Sequence, residues 1–428
     1  MELTPLAHAF ARQHIANVIG LPLHSLPADA ALESQVFHEL SRGPELTTAA
    51  RDQWGNWDFP FGDSNLRGEL YVPWLDRPLA ALRAKILQEQ PGLIPEPAWP
   101  EGRPFAVCLS HDVDIVSQNP TFARSARTLL RDAGALFAKP RERSIIAGAM
   151  RGIVTSAFQM STLRGLRPKP ERSYDAWLEV EERHGFRSTF FFFPESLTNR
   201  HLYDCHYDFD DRVMFRGRRI PVREMVAIMR DGGWEIGLHG SYHSALTPGE
   251  LSVQRRQIEE LAQQAVVSTR QHWLHYDVRV TPILQAQAGL LADSTQGFNR
   301  NVGFRAGTAF PYACWDHQEQ RALDLLEVPQ HVMDGALFTA NALEYDRERA
   351  VRHCLLLMDQ VEAVGGCLTL SWHPNVIDHP TYWGVYEDVL AEAARRRAWG
   401  CSLAQLREWW RGREERLATP GEPREIAP

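Results

Sequence analysis

Residues 105–116 read FAVCLSHDVDIV, an apolar strand pattern that runs straight into His111, Asp112 and Asp114. A segment such as FAVCLS belongs in a core, and charged groups are kept out of cores unless they are paired or bind metal. The mouth of this strand is therefore expected to need negative charge for something other than packing.

Outward from that strand, apolar strand patterns alternate with amphipathic helix patterns. YDAWLEVEERHG reads as a helix, STFFFFP as a strand, and PVREMVAIMRDGG as a helix with Pro221 in its first turn. EIGLHG is the next strand. TPGELSVQRRQIEELAQQA then reads as a helix opened by a capping box, with Thr247 as N-cap, Pro248 at N1 and Glu250 at N3. Further on, CLTLSWHP is a strand between the helical RERAVRHCLLLMDQVEAVGG and YWGVYEDVLAEAARRR, and SLAQLREWWRGR is a final helix. Such alternation predicts a parallel α/β arrangement, either a barrel or a doubly wound sheet.

Three of these strands end in groups able to bind a divalent ion: Asp112 and Asp114 in the first, His239 and His243 in LHGSYHS, and His373 in LSWHP. At the C-terminal ends of barrel strands such groups share one mouth. One carboxylate and two imidazoles would make a three-ligand zinc site with positions left for water and substrate. Each signal has a plainer reading. HxxxH is commonly a surface helix pair, DxD a solvated turn, and a histidine before Pro374 a satisfied strand-end cap. Their occurrence together, each after an apolar strand, favours a site.

These motifs resemble a known family. HDVD, LHGSYH and LSWHP are similar to the first, second and fifth motifs of the polysaccharide deacetylases, the NodB homology domain of carbohydrate esterase family 4. The similarity spans roughly residues 100 to 410. RQHWLHYD, ADSTQGF and GFRAGTAFPY, between Arg270 and Tyr312, resemble segments of an HDVD-bearing subgroup. The resemblance implies a distorted (β/α) barrel and metal-dependent removal of N- or O-acetyl groups from sugars. It implies Asp112 as catalytic base, Asp114, His239 and His243 as metal ligands, and His373 as general acid. Val113 separates two acids that are adjacent in many members, so base and ligand could be exchanged. The arginine that orients the base is expected to be Arg270, with Arg305 as rival and otherwise a substrate contact. Asp293 and His111 are expected near the substrate, His111 as support for the ligands or as a ligand itself.

Two regions fall outside the alternation. Residues 1–100 are rich in aromatics and proline (WGNWDFPFGD, YVPWLDRP) and read as a small module or an extension wrapping residues 101–414. Trp54, Trp57, Phe59 and Phe61 could stack on sugar, although packing anchors are the favoured reading. Residues 121–170 hold ten Lys/Arg against Asp132 and Glu142, a local +8 in a chain of net charge -8. That segment reads as a basic helical insertion, either packed with a solvated face or in peripheral contact with an anionic membrane. Residues 415–428 are expected to be disordered.

Composition limits the function classes. At 44% hydrophobic and 23% charged the chain is an ordinary globular protein, and its net charge offers no reason to expect nucleic acid. Six scattered cysteines without a CxxC pair argue against a disulfide framework or a thiolate zinc site. No basic leader and no membrane-length apolar run stand out, so a cytoplasmic enzyme is expected, acting on a carbohydrate precursor that is lipid- or nucleotide-linked. Rival readings are hydrolysis of another C–N or ester bond, an inactive metal- and glycan-binding protein, and a non-haem iron oxygenase.

Overall fold

The computed structural model describes residues 3–57, 69–116 and 173–418; Phe59, Phe61, the basic segment 121–170 and the tail from residue 419 lie outside them. The stretch that opens the barrel sequence forms β1 (Ala106–Val113), buried along its whole length. It is followed by β2 (Thr189–Phe192), the hairpin β3 (Arg212–Phe215) and β4 (Arg218–Pro221), β5 (Glu235–Gly240), β6 (Ser268–Gln271) and β7 (Ala292–Asp293). The remaining strands are β8 (Tyr312–Asp316), β9 (Arg321–Glu327), β10 (Val332–Met333), β11 (Cys367–Ser371) and β12 (Trp399–Cys401).

Hydrogen bonding orders the main sheet β10-β11-β1-β2-β5-β6-β7-β9-β8, with β12 also paired to β1. Every pairing is parallel except β8 with β9. The path is open, with β10 and β8 as its ends, so the fold is a distorted (β/α) barrel curled but not closed.

Successive side chains of a strand point to opposite faces, and β1 uses both. Val107, Leu109 and Val113 join the cluster containing Trp177, Leu178, Val385 and Val389 from the helices Asp175–Arg183 and Pro380–Arg395. Ala106 and Cys108 face the other way and share a second cluster with Phe10 and Ile15 of the helix Pro5–Ile19, Trp99, and Trp410 of the helix Leu403–Ala418. Trp99 stacks on Phe310 and Trp410 at 6.3 and 5.6 Å between ring centroids. The N-terminal residues thus pack, with the last helix, on the sheet face opposite the helices Asp175–Arg183 and Pro380–Arg395.

An ionic cluster ties the same region to the barrel. Glu45 Oε1 accepts from Arg42 Nη2 at 2.8 Å and Arg305 Nε at 2.9 Å, and its Oε2 accepts from Arg305 Nη2 at 2.8 Å. Burial pushes the Glu45 carboxyl upward, but the guanidinium groups of Arg305 and Arg42 outweigh it and hold the group down, at about 2. A carboxylate depressed in the folded state contributes stability above its unfolded value, and that contribution is lost as pH falls through the folded one. Glu45→Gln is therefore expected to cost about 3 kcal/mol at pH 7. In urea unfolding the gap from wild type should close between roughly pH 4.5 and 2. A gap that stays constant with pH would contradict the ion-pair account.

Helix ends differ from the local sequence signals. Pro221 is the N-cap of the helix Val222–Asp231, not part of its first turn. The capping box at Thr247 does not form: the helix begins at Glu250, after Gly249 at φ 80° and with no side-chain cap. Left-handed Gly249 takes the N-cap position, and Thr247 meets the Glu250 N–H through its backbone carbonyl, at 3.4 Å, not through its hydroxyl. The last helix continues to Ala418, past residue 414.

Candidate active site

β1 alternation sends Asp112 to the sheet face shared with Ser110, and the chain bends just beyond Val113 so that Asp114 leaves the strand. Beside it, β5 and β6 run parallel with His239 opposite Arg270. These three strand ends bring together Asp114, His239 and His272, whose ligand atoms all lie within 4.8 Å of one another. Asp114 Oδ1 is 3.2 Å from His239 Nε2 and 3.7 Å from His272 Nε2. His239 Nδ1 lies 2.9 Å from the carbonyl of Arg270, which can only accept. That contact fixes the proton on Nδ1 and leaves Nε2 as a lone-pair donor. His272 turns its Nδ1 toward the Asp204 carboxylate at 3.7 Å and its Nε2 toward Asp114.

A carboxylate and two imidazoles oriented by outer partners suit a borderline divalent cation such as zinc. The donor set therefore fits the metal that the motifs suggest. Asp114 is drawn well below the carboxylate range: burial opposes this, and His272, His239 and His373 outweigh it.

Asp112 sits next to this group but is held by a different partner. Arg270 Nη1 donates to Asp112 Oδ1 at 2.8 Å, to Ser110 Oγ at 2.8 Å and to Ser371 Oγ at 3.0 Å. Its Nε and Nη2 are taken up by the carbonyl and hydroxyl of Ser294 at 2.8 and 2.9 Å. Every arm of a fully buried guanidinium is thereby occupied, and Phe191 lies under its plane at 4.8 Å. Burial would raise the Asp112 carboxyl; the Arg270 cation, with His239 and His373, overrides burial and lowers it. Asp112 is thus an ionised carboxylate close to the cation site.

His373 follows β11 on the other side of β1. Its Nδ1 is 2.6 Å from Asp334 Oδ1, and its backbone N–H donates to Asp334 Oδ2 at 3.0 Å. Burial pushes the imidazole down, but the Asp334 carboxylate, with Asp114 and Asp112 beyond it, raises it to about 10. Nε2 is left facing Asp114 Oδ2 at 3.6 Å.

Asp112, Asp114, His239, His272 and His373 all line one cavity of about 470 Å³. Its rim carries Trp54 and Trp273, stacked at 5.3 Å and 15°. Trp273 and Leu274 both hold left-handed backbone, φ 58° and 52°, a conformation costly for large side chains. The turn is pinned by Asn56 and Asn299, whose side-chain amides each donate to the Trp273 carbonyl at 2.9 Å. Tyr242 donates its hydroxyl to the Trp54 carbonyl at 2.9 Å. The N-terminal segment thus supplies part of the cavity wall. Trp57 instead packs under the guanidinium groups of Arg42 and Arg305, as an anchor.

Four residues expected at the site lie elsewhere. His243 opens the turn His243–Ala245, with its ring 5.0 Å from that of His201, and is absent from the cation group. HxxxH places two imidazoles on one face in a regular helix or strand; here the four-residue step crosses a strand end and a turn. His272, at the end of the neighbouring strand, takes the third position. His111 projects to the opposite face of β1 from Asp112, where its Nε2 meets Glu181 Oε1 at 2.7 Å and its Nδ1 the Trp372 carbonyl at 2.8 Å. Arg305 is buried against Glu45 and the Gly297 carbonyl, outside the residues lining the cavity, and Asp112 is held by Arg270 instead. Asp293 is buried opposite Glu327 on β9, its carboxyl raised to about 6 by burial, and it too is outside the cavity lining. The residue of ADSTQGF that serves the site is Ser294, through Arg270.

Sequence reading missed His272, Asp204 and Asp334. His272 was within reach, since it follows VVSTRQ at a strand end. Asp204 comes from a loop and Asp334 from the start of the short helix Asp334–Phe338, neither with a pattern to mark it. Among the described residues all six cysteines are free, and no helix is long and apolar enough to cross a membrane.

No family model matches the chain, and no curated protein sequence matches it. Among solved structures it is similar to a chain from Mycobacterium smegmatis provisionally named a polysaccharide deacetylase, at 19% identity and TM-score 0.46 over 77% of this chain and 97% of that one. It is also similar to Puue allantoinase, at 13% identity and TM-score 0.43 over 75% and 94%. A chain from Pseudomonas aeruginosa PAO1, likewise provisionally named a polysaccharide deacetylase, matches at 16% identity and TM-score 0.43 over 77% and 96%.

Proposed function

We propose that this chain is a metal-dependent hydrolase of the NodB deacetylase type, which removes an acetyl group from an N- or O-acetylated carbohydrate. One observation carries the reading: Asp112 on Arg270 and His373 on Asp334 open onto the same cavity as Asp114, His239 and His272. An inert binding protein would need neither a held base nor a held acid.

A divalent cation, most simply zinc, would polarise the acetyl carbonyl and acidify an attacking water. The chain's own residues supply the proton transfers. Asp112, kept ionised and aimed by Arg270, accepts the proton released as water adds to the carbonyl. Asp334 holds the Nδ1 proton of His373 and so directs the Nε2 proton into the cavity. There it can pass to the departing amine, which cannot leave as an anion. An ester, with a better leaving group, depends less on that proton.

Carbohydrate as substrate is supported by the indole ledge, since flat aromatic faces suit the apolar faces of sugar rings. Trp54→Ala is expected to raise KM for an acetylated oligosaccharide up to about tenfold, an aromatic contact of about 1.4 kcal/mol. Turnover number and bound metal should stay within about twofold. An unchanged KM would remove the ledge from substrate recognition. The reaction itself is tested by metal analysis of the purified protein with an acetate-release screen. That screen spans acetylated oligosaccharides, sugar nucleotides and lipid-linked sugars, the last two being the precursor form suggested above. Metal-loaded protein that releases no acetate from any of them would overturn the proposal.

A further inference from the structure

His111 stands behind β1, on the face away from Asp112, and the proton transfers proposed above give it no part. Its ring is fully buried, stacked on Phe190 at 4.5 Å and 26° and tilted against Trp177 at 4.7 Å. Nε2 meets Glu181 Oε1 at 2.7 Å. Glu181 is anchored in turn: Tyr386 donates its hydroxyl to Oε1 at 2.9 Å, and Ser188 Oγ and Trp234 Nε1 donate to Oε2 at 2.7 and 2.8 Å. A histidine that only filled the core would be satisfied by these contacts. The second nitrogen reaches further. Nδ1 is 2.8 Å from the Trp372 carbonyl, which can only accept, so Nδ1 carries a proton and donates it.

The carbonyl so held belongs to the peptide unit that joins Trp372 to His373. The N–H of that same unit donates to Asp334 Oδ2 at 3.0 Å, and Asp334 Oδ1 holds His373 Nδ1 at 2.6 Å. A trans peptide is planar, with its C=O and N–H pointing opposite ways. One end therefore meets buried His111, and the other meets Asp334 in the cavity wall. Gripped at both ends, the unit resists tilting, and a tilt would carry the His373 ring with it. β1 thus serves both proton-transfer groups: Asp112 projects from one face, and His111 steadies the chain of His373 from the other.

We infer that His111 is a positioning residue for His373: by fixing the Trp372 carbonyl from behind the sheet, it sets the direction in which Nε2 enters the cavity. Without that donor the buried carbonyl loses its partner and the peptide is free to turn. A misplacement of about 1 Å in a reacting group costs on the order of 10²-fold in rate. The loss falls on the step that needs the His373 proton, departure of the amine, and leaves the attack of water alone.

This inference rests on the acid role of His373 in the proposed function, and a comparison of leaving groups separates the two. Metal-loaded, full-length protein is assayed on N-acetylated amino-sugar oligosaccharides and on 4-nitrophenyl acetate, an ester whose leaving group needs no proton. His111→Gln puts its amide where Nε2 stood, keeping Glu181 and losing the donor to Trp372. His111→Asn puts its amide where Nδ1 stood and keeps that donor. His111→Gln is expected to lower kcat on the amide by about 10²-fold, with KM and ester turnover within about threefold of wild type. His111→Asn should hold amide turnover within about tenfold of wild type. Beside His373→Ala, His111→Gln should bring no further loss, because it acts through a ring already removed. Thermal unfolding is followed for each variant, and His111→Phe, which keeps the stack on Phe190, is a second protein without the donor. Equal loss on amide and ester, unchanged amide turnover in His111→Gln and His111→Phe, or a full further loss beside His373→Ala overturns the role of His111 alone. Wild-type protein that releases no acetate from any amide overturns the acid role of His373, and this inference with it.

Discussion

Purified His272→Ala is expected to lose its metal and at least about a thousandfold in acetate release, some 4 kcal/mol of transition-state stabilisation. His243→Ala is expected to keep both. Within LHGSYH the motif would have given these roles to His239 and His243, so the pair of variants tests the geometry against the pattern. His272 Nε2 points at Asp114 Oδ1 from 3.7 Å, while His243 lies in a turn against the ring of His201. Deleting one of the three proposed ligands would remove a bond that the others could not replace. Deleting a ring packed in a turn alters only local contacts. Metal per chain by elemental analysis, beside circular dichroism to check folding, decides the matter. Metal retained in His272→Ala and lost in His243→Ala would reverse the assignment.

Asp112→Asn should lower turnover by about 10²–10⁴, with metal content unchanged. The amide has the shape of the carboxylate and still accepts from Arg270 Nη1, but it cannot take a proton from water. It also strips Arg270 of its counter-charge. The other acceptors of that buried guanidinium, Ser110, Ser371 and Ser294, are neutral. Leaving the cation unpaired should cost about 3–5 kcal/mol of stability, so assays belong well below the variant's unfolding temperature. The double change Asp112→Asn with Arg270→Gln separates the two effects: stability should recover in part, because no unpaired charge remains, while turnover stays lost. Turnover that survives Asp112→Asn in metal-loaded protein would mean that another group takes the proton.

Periodicity carried far in this chain. The apolar stretch from Phe105, the later strands and the intervening amphipathic helices were legible because burial on both faces of a parallel strand leaves a nearly continuous apolar run. Asp112, Asp114, His239, Arg270 and His373 were legible for a related reason. Each marks where such a run meets polar groups, and parallel strands bring those ends to one rim. Capping details were less so, because a single left-handed Gly249 moved a helix start by two residues.

Sequence by itself thus determined the alternating architecture and which polar residues stand at the strand ends around the cavity. Tertiary structure alone decided which imidazole faces Asp114, which carboxylate aims His373, and that Trp54 reaches the cavity from far upstream. It also placed His111 against Glu181, Arg305 against Glu45 and Asp293 opposite Glu327, all outside the cavity lining. The reason is physical. Period and composition report which face of an element is buried, one residue at a time. A ligand set is a relation among side chains more than a hundred residues apart, fixed by strand register and by loops that carry no period.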